Sequence, residues 1–333
     1  MAAVNKHIIL LDSLRIGFTS GKRITELTQP LRASSGGGEL IAVIGRNGIG
    51  KSTLLRTLTG LQEALGGNIL LYDKYISEYT RMDLARTVGY ISTEIVRASN
   101  MTVLDLVSLG RFPHTNWLGK IDRDSYLAIE GSLHKTGLAD FRNRNISELS
   151  DGERQKAMIA RVLAQDTEIM IMDEPTAFLD ISSKYEIINL MLELTEEGKT
   201  IVFSTHDFDI ALNQADKIWL LLNSGILEGA PEDLVLNGSF DHLFDSEIIG
   251  FNSNDGSFSF TKKPRKEIYV SGEGIKRMWT EHALERTGYS ITDNDNNLKV
   301  IIPEKNNKKW LLEIKESTEH FDSIYELTQR LRE

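Results

Sequence analysis

Residues 45–52 read Gly45-Arg46-Asn47-Gly48-Ile49-Gly50-Lys51-Ser52, the spacing G-x-x-x-x-G-K-[ST]. Such a loop can cradle the phosphates of a nucleotide. Its glycines let the backbone approach phosphate oxygens and take positive φ. Lys51 offers a point charge to the β and γ phosphates, and Ser52 offers a hydroxyl to Mg²⁺. A second acidic position follows about 120 residues later, where Asp173 and Glu174 stand side by side. Phosphoryl transfer to water needs charge compensation and an oriented nucleophile. Asp173 would hold Mg²⁺ through water, and Glu174 would polarise the attacking water. A third position is His206, a candidate for contacting the γ-phosphate and that water. Taken alone, such a histidine is more often a satisfied polar group.

Each of these groups follows an apolar run. Leu40-Ile41-Ala42-Val43-Ile44 precedes the glycine loop, Ile169-Met170-Ile171-Met172 the two acids, and Thr200-Ile201-Val202-Phe203-Ser204 the histidine. Short apolar runs of this kind read as buried strands. Parallel α/β sheets deliver their chemical groups at the C-terminal edge of such strands. Thr53 to Leu58 reads as the first turns of a helix, which points unpaired N–H groups and a positive dipole end at the anion. A second helix start lies at Leu149-Ser150-Asp151-Gly152-Glu153-Arg154-Gln155, before a helix-spaced apolar stretch. It reads either as a plain capped helix or as a second anion-binding terminus built on Ser150 and Gly152. One set of phosphates rarely needs two such ends in cis, so the second reading assigns it to the nucleotide of another subunit.

The chain has 333 residues, 41% of them hydrophobic, a net charge of −10 and no cysteine. That length allows one large domain or two. The acidic balance argues against a general nucleic-acid binder, and the absence of cysteine excludes disulfides and thiolate metal sites. The N-terminal stretch has no signal-peptide pattern, and no apolar run is long enough to span a bilayer. The chain is therefore expected to be soluble, with any membrane role left to a partner. From Phe251 onward 14 basic residues balance 14 acidic ones, so the negative charge belongs to residues 1–250. With the polar stretch Asn252 to Ser257, this places a domain boundary near 250.

Together the four elements resemble the ATP-binding-cassette (ABC) ATPases, from about residue 8 to 245. Leu149 to Glu153 looks like the cassette signature, normally Leu-Ser-Gly-Gly-Gln. Asp173-Glu174-Pro175-Thr176-Ala177-Phe178-Leu179-Asp180 matches the acidic strand end and the following D-loop, and Ser204-Thr205-His206-Asp207 matches the switch histidine. Phe18 fits the aromatic residue that stacks on adenine, or is ordinary core. The resemblance implies an α/β P-loop NTPase fold with a parallel-sheet core, an antiparallel β subdomain and a helical subdomain over about 95–165. It implies ATP and Mg²⁺ as cofactors, bound by Gly45 to Thr53, Phe18, Ser150, Gly152 and Asp180. Leu109-Gly110-Arg111-Phe112-Pro113-His114-Thr115 is similar to a permease-docking segment in ATPases of iron-siderophore, haem and cobalamin importers. By that likeness two copies form a head-to-tail dimer that sandwiches ATP. They would work on polytopic permease subunits at the cytoplasmic face of the membrane, with a separate substrate-binding protein and no nucleic acid.

Two departures stand out. The family places a glutamine after the strand Val88-Gly89-Tyr90-Ile91, where this chain reads Ser92-Thr93-Glu94. Thr93 or Glu94 offers an oxygen ligand to Mg²⁺ in its place, with Glu94 favoured by charge. Asp151 and Glu153 also replace uncharged signature residues, which is repulsive toward phosphate unless Glu153 faces away. A soluble cassette ATPase acting on nucleic acid or ribosomes is the alternative. Those more often carry two cassettes or long coiled-coil insertions, which are lacking here. A regulatory module that barely hydrolyses ATP is a third reading, opposed by Glu174 and His206.

Residues 251–333 read as a small α/β domain of β-α-β-β-α character and unknown role. Strands are expected at 266–270, 298–302 and 309–314, with a turn at 305–308. Helices are expected over 273–285, with Ile275, Met278, Trp279 and Ala283 on one side, and over 321–331. Ser271-Gly272-Glu273-Gly274 lacks the third glycine or lysine of a phosphate loop and reads as a turn and helix cap.

Overall fold

A computed structural model of the chain describes residues 7–21, 23–93, 100–115, 121–243, 249–253, 256–260, 266–294, 298–303, 309–315 and 317–332. The chain divides into two compact units, Met1–Asp245 with Phe251–Phe258, and Ser246–Gly250 with Ser259–Glu333.

The first unit opens with β1 (Ile9–Arg15), the hairpin of β2 (Gly17–Ser20) and β3 (Arg23–Glu26), and β4 (Leu31–Ser35). Next come β5 (Leu40–Gly45), α1 (Lys51–Leu58), β6 (Gly66–Leu71) and β7 (Lys74–Tyr75). An antiparallel sheet runs in the order β4-β1-β6-β7. Then follow α2 (Arg81–Thr87), β8 (Val88–Ile91), α3 (Val103–Ser108), α4 (Arg123–Lys135) and α5 (Asp151–Ala164). The remaining elements are β9 (Ile169–Met172), α6 (Ile181–Glu196), β10 (Thr200–Ser204), α7 (Phe208–Gln214), β11 (Lys217–Leu222), β12 (Gly225–Gly229) and α8 (Pro231–Leu236).

The central sheet has the order β12-β11-β5-β10-β9-β8. Its strands are parallel except the edge strand β12. Every residue of β5, β9 and β10 is buried. A parallel sheet covered on both faces needs such continuous apolar strands. Successive side chains still alternate. Leu40, Ala42 and Ile44 pack with Ile159 of α5 and Ile187 and Met191 of α6. Ile41 and Val43 face the other way, toward Leu54 and Leu58 of α1 and the antiparallel sheet. No helix among the described residues is long and apolar enough to cross a membrane.

Helices α3, α4 and α5 form a helical layer, joined by a 3₁₀ turn over Leu109–His114. This turn is fastened to the end of α5. Arg111 Nη1 donates to Ala164 O at 2.9 Å, and the His114 ring nitrogen donates to Gln165 O at 2.9 Å. These bonds satisfy carbonyls that a helix end leaves without partners. A Cβ added to Gly110 would lie 2.0 Å from Arg161 O, so only glycine fits. Gly110→Ala should therefore destabilise the fold by about 3 kcal/mol, read as a lower urea midpoint. An unchanged midpoint would show that the two segments are not in close contact.

Strands β13 (Ile249–Asn252) and β14 (Ser257–Phe260) form a two-stranded ribbon around the polar stretch read as a boundary. Its Phe258 packs on Phe208 of α7, with ring centroids 4.6 Å apart, and Phe251 on Phe240 at 4.9 Å.

The second unit holds β15 (Lys266–Ser271), α9 (Ile275–Thr287), β16 (Tyr289–Thr292), β17 (Leu298–Ile301), β18 (Trp310–Ile314), β19 (Ser317–Phe321) and α10 (Ile324–Arg330). Its sheet runs β16-β15-β17-β18-β19, with β15 parallel to both neighbours and the rest antiparallel. Two strands, β16 and β19, were not expected from the sequence. β19 ends with Phe321, the first residue expected in the last helix, which begins only after Ser323 caps it. The expected turn at 305–308 lies outside the described residues. Of the four residues expected on one side of α9, only Ala283 is buried. Ile275, Met278 and Trp279 are exposed, while Thr280, Ala283 and Leu284 are buried. The buried side packs Leu284 into the core with Ile268, Val300 and Leu312, and the Trp310 indole N–H donates to Thr280 Oγ1 at 3.0 Å on the same side.

Candidate active site

Because β5, β10 and β9 are adjacent and parallel, their C-terminal ends lie side by side. The glycine loop, His206 and the two acids leave from this one edge. Gly50 takes φ 114°, a left-handed conformation that disfavours other residues, and forms the N-cap of α1 without a side-chain cap. With no acidic residue in its first turn, α1 presents free amides to the loop. Arg46, Asn47 and Gly48 are exposed on the loop, whereas Ile49 and Thr53 are buried beneath it.

Lys51 is buried and folds over its own loop. Its ammonium donates to Gly45 O at 2.8 Å and Arg46 O at 3.4 Å. Burial lowers its pKa from the ordinary lysine value, against the nearby charges of Glu174 and Asp173, which hold it up. Ser52 Oγ donates to Asp173 Oδ1 at 3.1 Å, and Ser204 Oγ donates to the same oxygen at 2.7 Å. Asp173 is 2% exposed. The Glu174 N–H donates to Ser204 Oγ at 2.9 Å. Glu174 itself has φ 50°, which turns its side chain off the strand line. Its Oε1 lies 2.9 Å from His206 Nε2. Ser204 was not singled out among the site residues. It ends β10 and bridges both acids, and only the strand order shows this.

The other residues sit apart. Ser150 caps α5: its Oγ accepts from the Glu153 N–H at 3.2 Å, and Glu153 Oε2 accepts from the Ser150 N–H at 2.7 Å. This reciprocal cap holds the Glu153 carboxyl below its ordinary pKa, chiefly through the Ser150 amide. Asp151 pairs with Arg154 at 2.7 Å. Asp180 caps α6, accepting from the Ser183 N–H at 2.9 Å. Phe18 is half exposed on β2. Thr93 is exposed just after β8. Glu94 lies outside the described residues. Among the described residues, no hydrogen bond ties Ser150, Gly152 or Phe18 to the cluster of Lys51, Ser52, Asp173, Glu174 and His206.

The donor set fits a nucleotide with a hard cation. Among the described residues no group of three or more His, Asp or Glu could cage a metal. One hydroxyl and one buried carboxylate suit Mg²⁺, which keeps several waters and takes the rest of its ligands from phosphate. Beside the cluster a cavity of about 430 Å³ is lined by Glu174, Thr176, Lys184, His206 and Asp207.

Residues 29–177 match the family model described as ABC transporter, and residues 265–332 match one described as Iron ABC transporter C-terminal domain. A petrobactin import ATP-binding protein of Bacillus anthracis is 35% identical over 233 residues, 69% of this chain and 85% of that protein. An iron(3+)-hydroxamate import ATP-binding protein of Bacillus subtilis is 32% identical over 243 residues, 72% of this chain and 90% of that protein. Among solved structures, cbiO1 of Clostridium perfringens, part of the complex cbiONQ, aligns with a TM-score of 0.60 at 28% identity. It covers 71% of this chain and 93% of that one.

Proposed function

Since this chain belongs to the ABC transporter family, we propose that it is the ATP-hydrolysing subunit of an importer for an iron complex, carried through a separate permease. The observation that carries the cargo class is the match of residues 265–332 to the Iron ABC transporter C-terminal domain. The siderophore-import relatives support it. Membrane association would come through the permease, for which the exposed Leu109 and Phe112 offer apolar contacts beside the clamped Gly110 and Arg111. Two copies would pair head to tail, with Ser150 and Gly152 of one facing the nucleotide of the other. That Ser150 caps its own helix and does not reach the Lys51 cluster supports this reading.

Bound ATP with Mg²⁺ supplies the phosphoryl group and the positive charge that offsets its oxygens. The chain supplies the rest. The amides of α1 and the ammonium of Lys51 bind the phosphates, the lysine exchanging its loop carbonyls for phosphate oxygens. Ser52 and Asp173 would hold the cation, and Ser204 fixes the Asp173 carboxylate. Glu174 accepts a proton from water, and His206 holds the carboxylate in place. Thr93 or Glu94, the latter favoured by charge, is proposed to take the place of the family glutamine as an oxygen ligand to the cation.

Affinity purification of the tagged chain from detergent-solubilised membranes tests the importer reading. Polytopic membrane subunits should co-purify. Recovery from the soluble fraction alone, with ribosomes or nucleic acid, would replace it with the soluble-cassette reading.

A further inference from the structure

The first turn of α6 is gripped from both sides. On the α5 side, a Cβ added to Gly152 would lie 2.7 Å from Ser183 Oγ, so the Ser150–Gly152 turn touches α6 directly. Lys156 of α5 also donates to Glu186 Oε2 at 2.6 Å. On the α7 side, Lys184 Nζ donates to Asp207 Oδ2 at 2.7 Å. Asp207 follows His206 in sequence and caps α7. Its other oxygen accepts from the Ile210 N–H at 3.3 Å, and its own N–H donates to Thr205 Oγ1 at 3.0 Å. Lys184 and Asp207 are 27% and 28% exposed in their side chains, and both line the cavity that holds Glu174 and His206. Burial alone would raise the Asp207 pKa. The Lys184 ammonium and the α7 amides outweigh it and hold the carboxyl below its ordinary range.

His206 has 44% of its side chain exposed, so little packing fixes its ring. Its aim depends on the backbone of its loop. We propose that Lys184 is a positioning residue for ATP hydrolysis: its ion pair with Asp207 anchors the His206 loop to the first turn of α6, and through Gly152 to the signature turn. The inference rests on the ATPase reading of the site. A displacement of the signature turn would pass through Ser183 and Lys184 to Asp207, and so change the aim of His206 at Glu174. Catalytic geometry is sensitive to shifts of this size: a misplacement of about 1 Å can cost up to about a hundredfold in rate.

The test is steady-state phosphate release by the full-length chain with Mg-ATP, together with nucleotide affinity and thermal midpoint. Lys184→Met and Asp207→Asn should each lower kcat roughly tenfold, with KM within about twofold of the parent. The double variant should be no slower than the slower single one, because both remove one interaction. Lys184→Arg, which keeps the charge and reach, should restore about half or more of the rate. Parent-like kcat in both singles, additive losses, or a parallel loss of nucleotide affinity and midpoint would overturn the proposal, the last by showing a merely structural role. If Lys184→Met does not fold, Asp207→Asn and Lys184→Arg carry the same comparison. Glu174→Gln is run alongside. Absence of Mg-ATP turnover in the parent defeats the ATPase reading itself, turnover surviving in Glu174→Gln removes Glu174 as the base, and loss there beside a parent-like Lys184→Met defeats only the strut.

Discussion

Glu174→Gln is expected to reduce ATP turnover by roughly a thousandfold while nucleotide affinity stays within about twofold. The substitution keeps the side chain's size, and an amide can still meet the His206 ring. It cannot accept a proton. Positioned general bases contribute on the order of 10² to 10⁴ in rate. The structure adds a reason to expect a clean effect. The backbone at Glu174 is held by its N–H bond to Ser204 Oγ, and its positive φ is set by the chain turning off β9. Neither feature depends on the carboxylate. The phosphate-binding parts, Lys51 and the α1 amides, lie on a different strand end. Phosphate release and fluorescent-nucleotide binding, measured on one preparation, separate the two quantities. Turnover within about tenfold of the parent would remove Glu174 from the role of base.

Lys51→Met is expected to give the opposite pattern. Nucleotide affinity should fall by at least about a hundredfold, because the ammonium is a buried side-chain cation bonded within the loop and charge compensation is worth several kcal/mol in a dry site. The fold should not suffer. Lys51 is buried and its charged form is disfavoured by burial, so the charge carries a desolvation cost that methionine of similar length avoids. The ammonium's bonds to Gly45 O and Arg46 O are lost, which offsets part of that gain. A thermal midpoint without nucleotide close to the parent's is the net expectation. The rise in midpoint that Mg-ATP confers on the parent should vanish, since a ligand stabilises only the state it binds. A retained nucleotide-dependent rise would show that the α1 amides suffice and that the lysine acts elsewhere.

The sequence by itself determined the parts of this protein whose physics is local. The glycine loop needs only the spacing from Gly45 to Ser52, and three short, largely apolar runs ending in functional groups announce buried parallel strands. Ser150 is legible as a helix cap because a cap is a contact over three residues, whereas the caps made by Asp180 and Asp207 came from the structure. The tertiary structure alone decided what depends on pairing between distant segments. The order β5-β10-β9 puts Ser204 between both acids, and no local pattern encodes which strands are neighbours. Lys184 looks like any exposed helix lysine until α7 places Asp207 within reach. In the second unit, Ile275, Met278 and Trp279 follow a plausible helical stripe. The structure instead buries Thr280 and Leu284, which meet Trp310 and core strands well before and after them in the sequence. Strands β16 and β19 escaped detection for a related reason. Neither has a buried residue, and both are edge strands of their sheet, held by backbone pairing with β15 and β18 rather than by a strong apolar alternation.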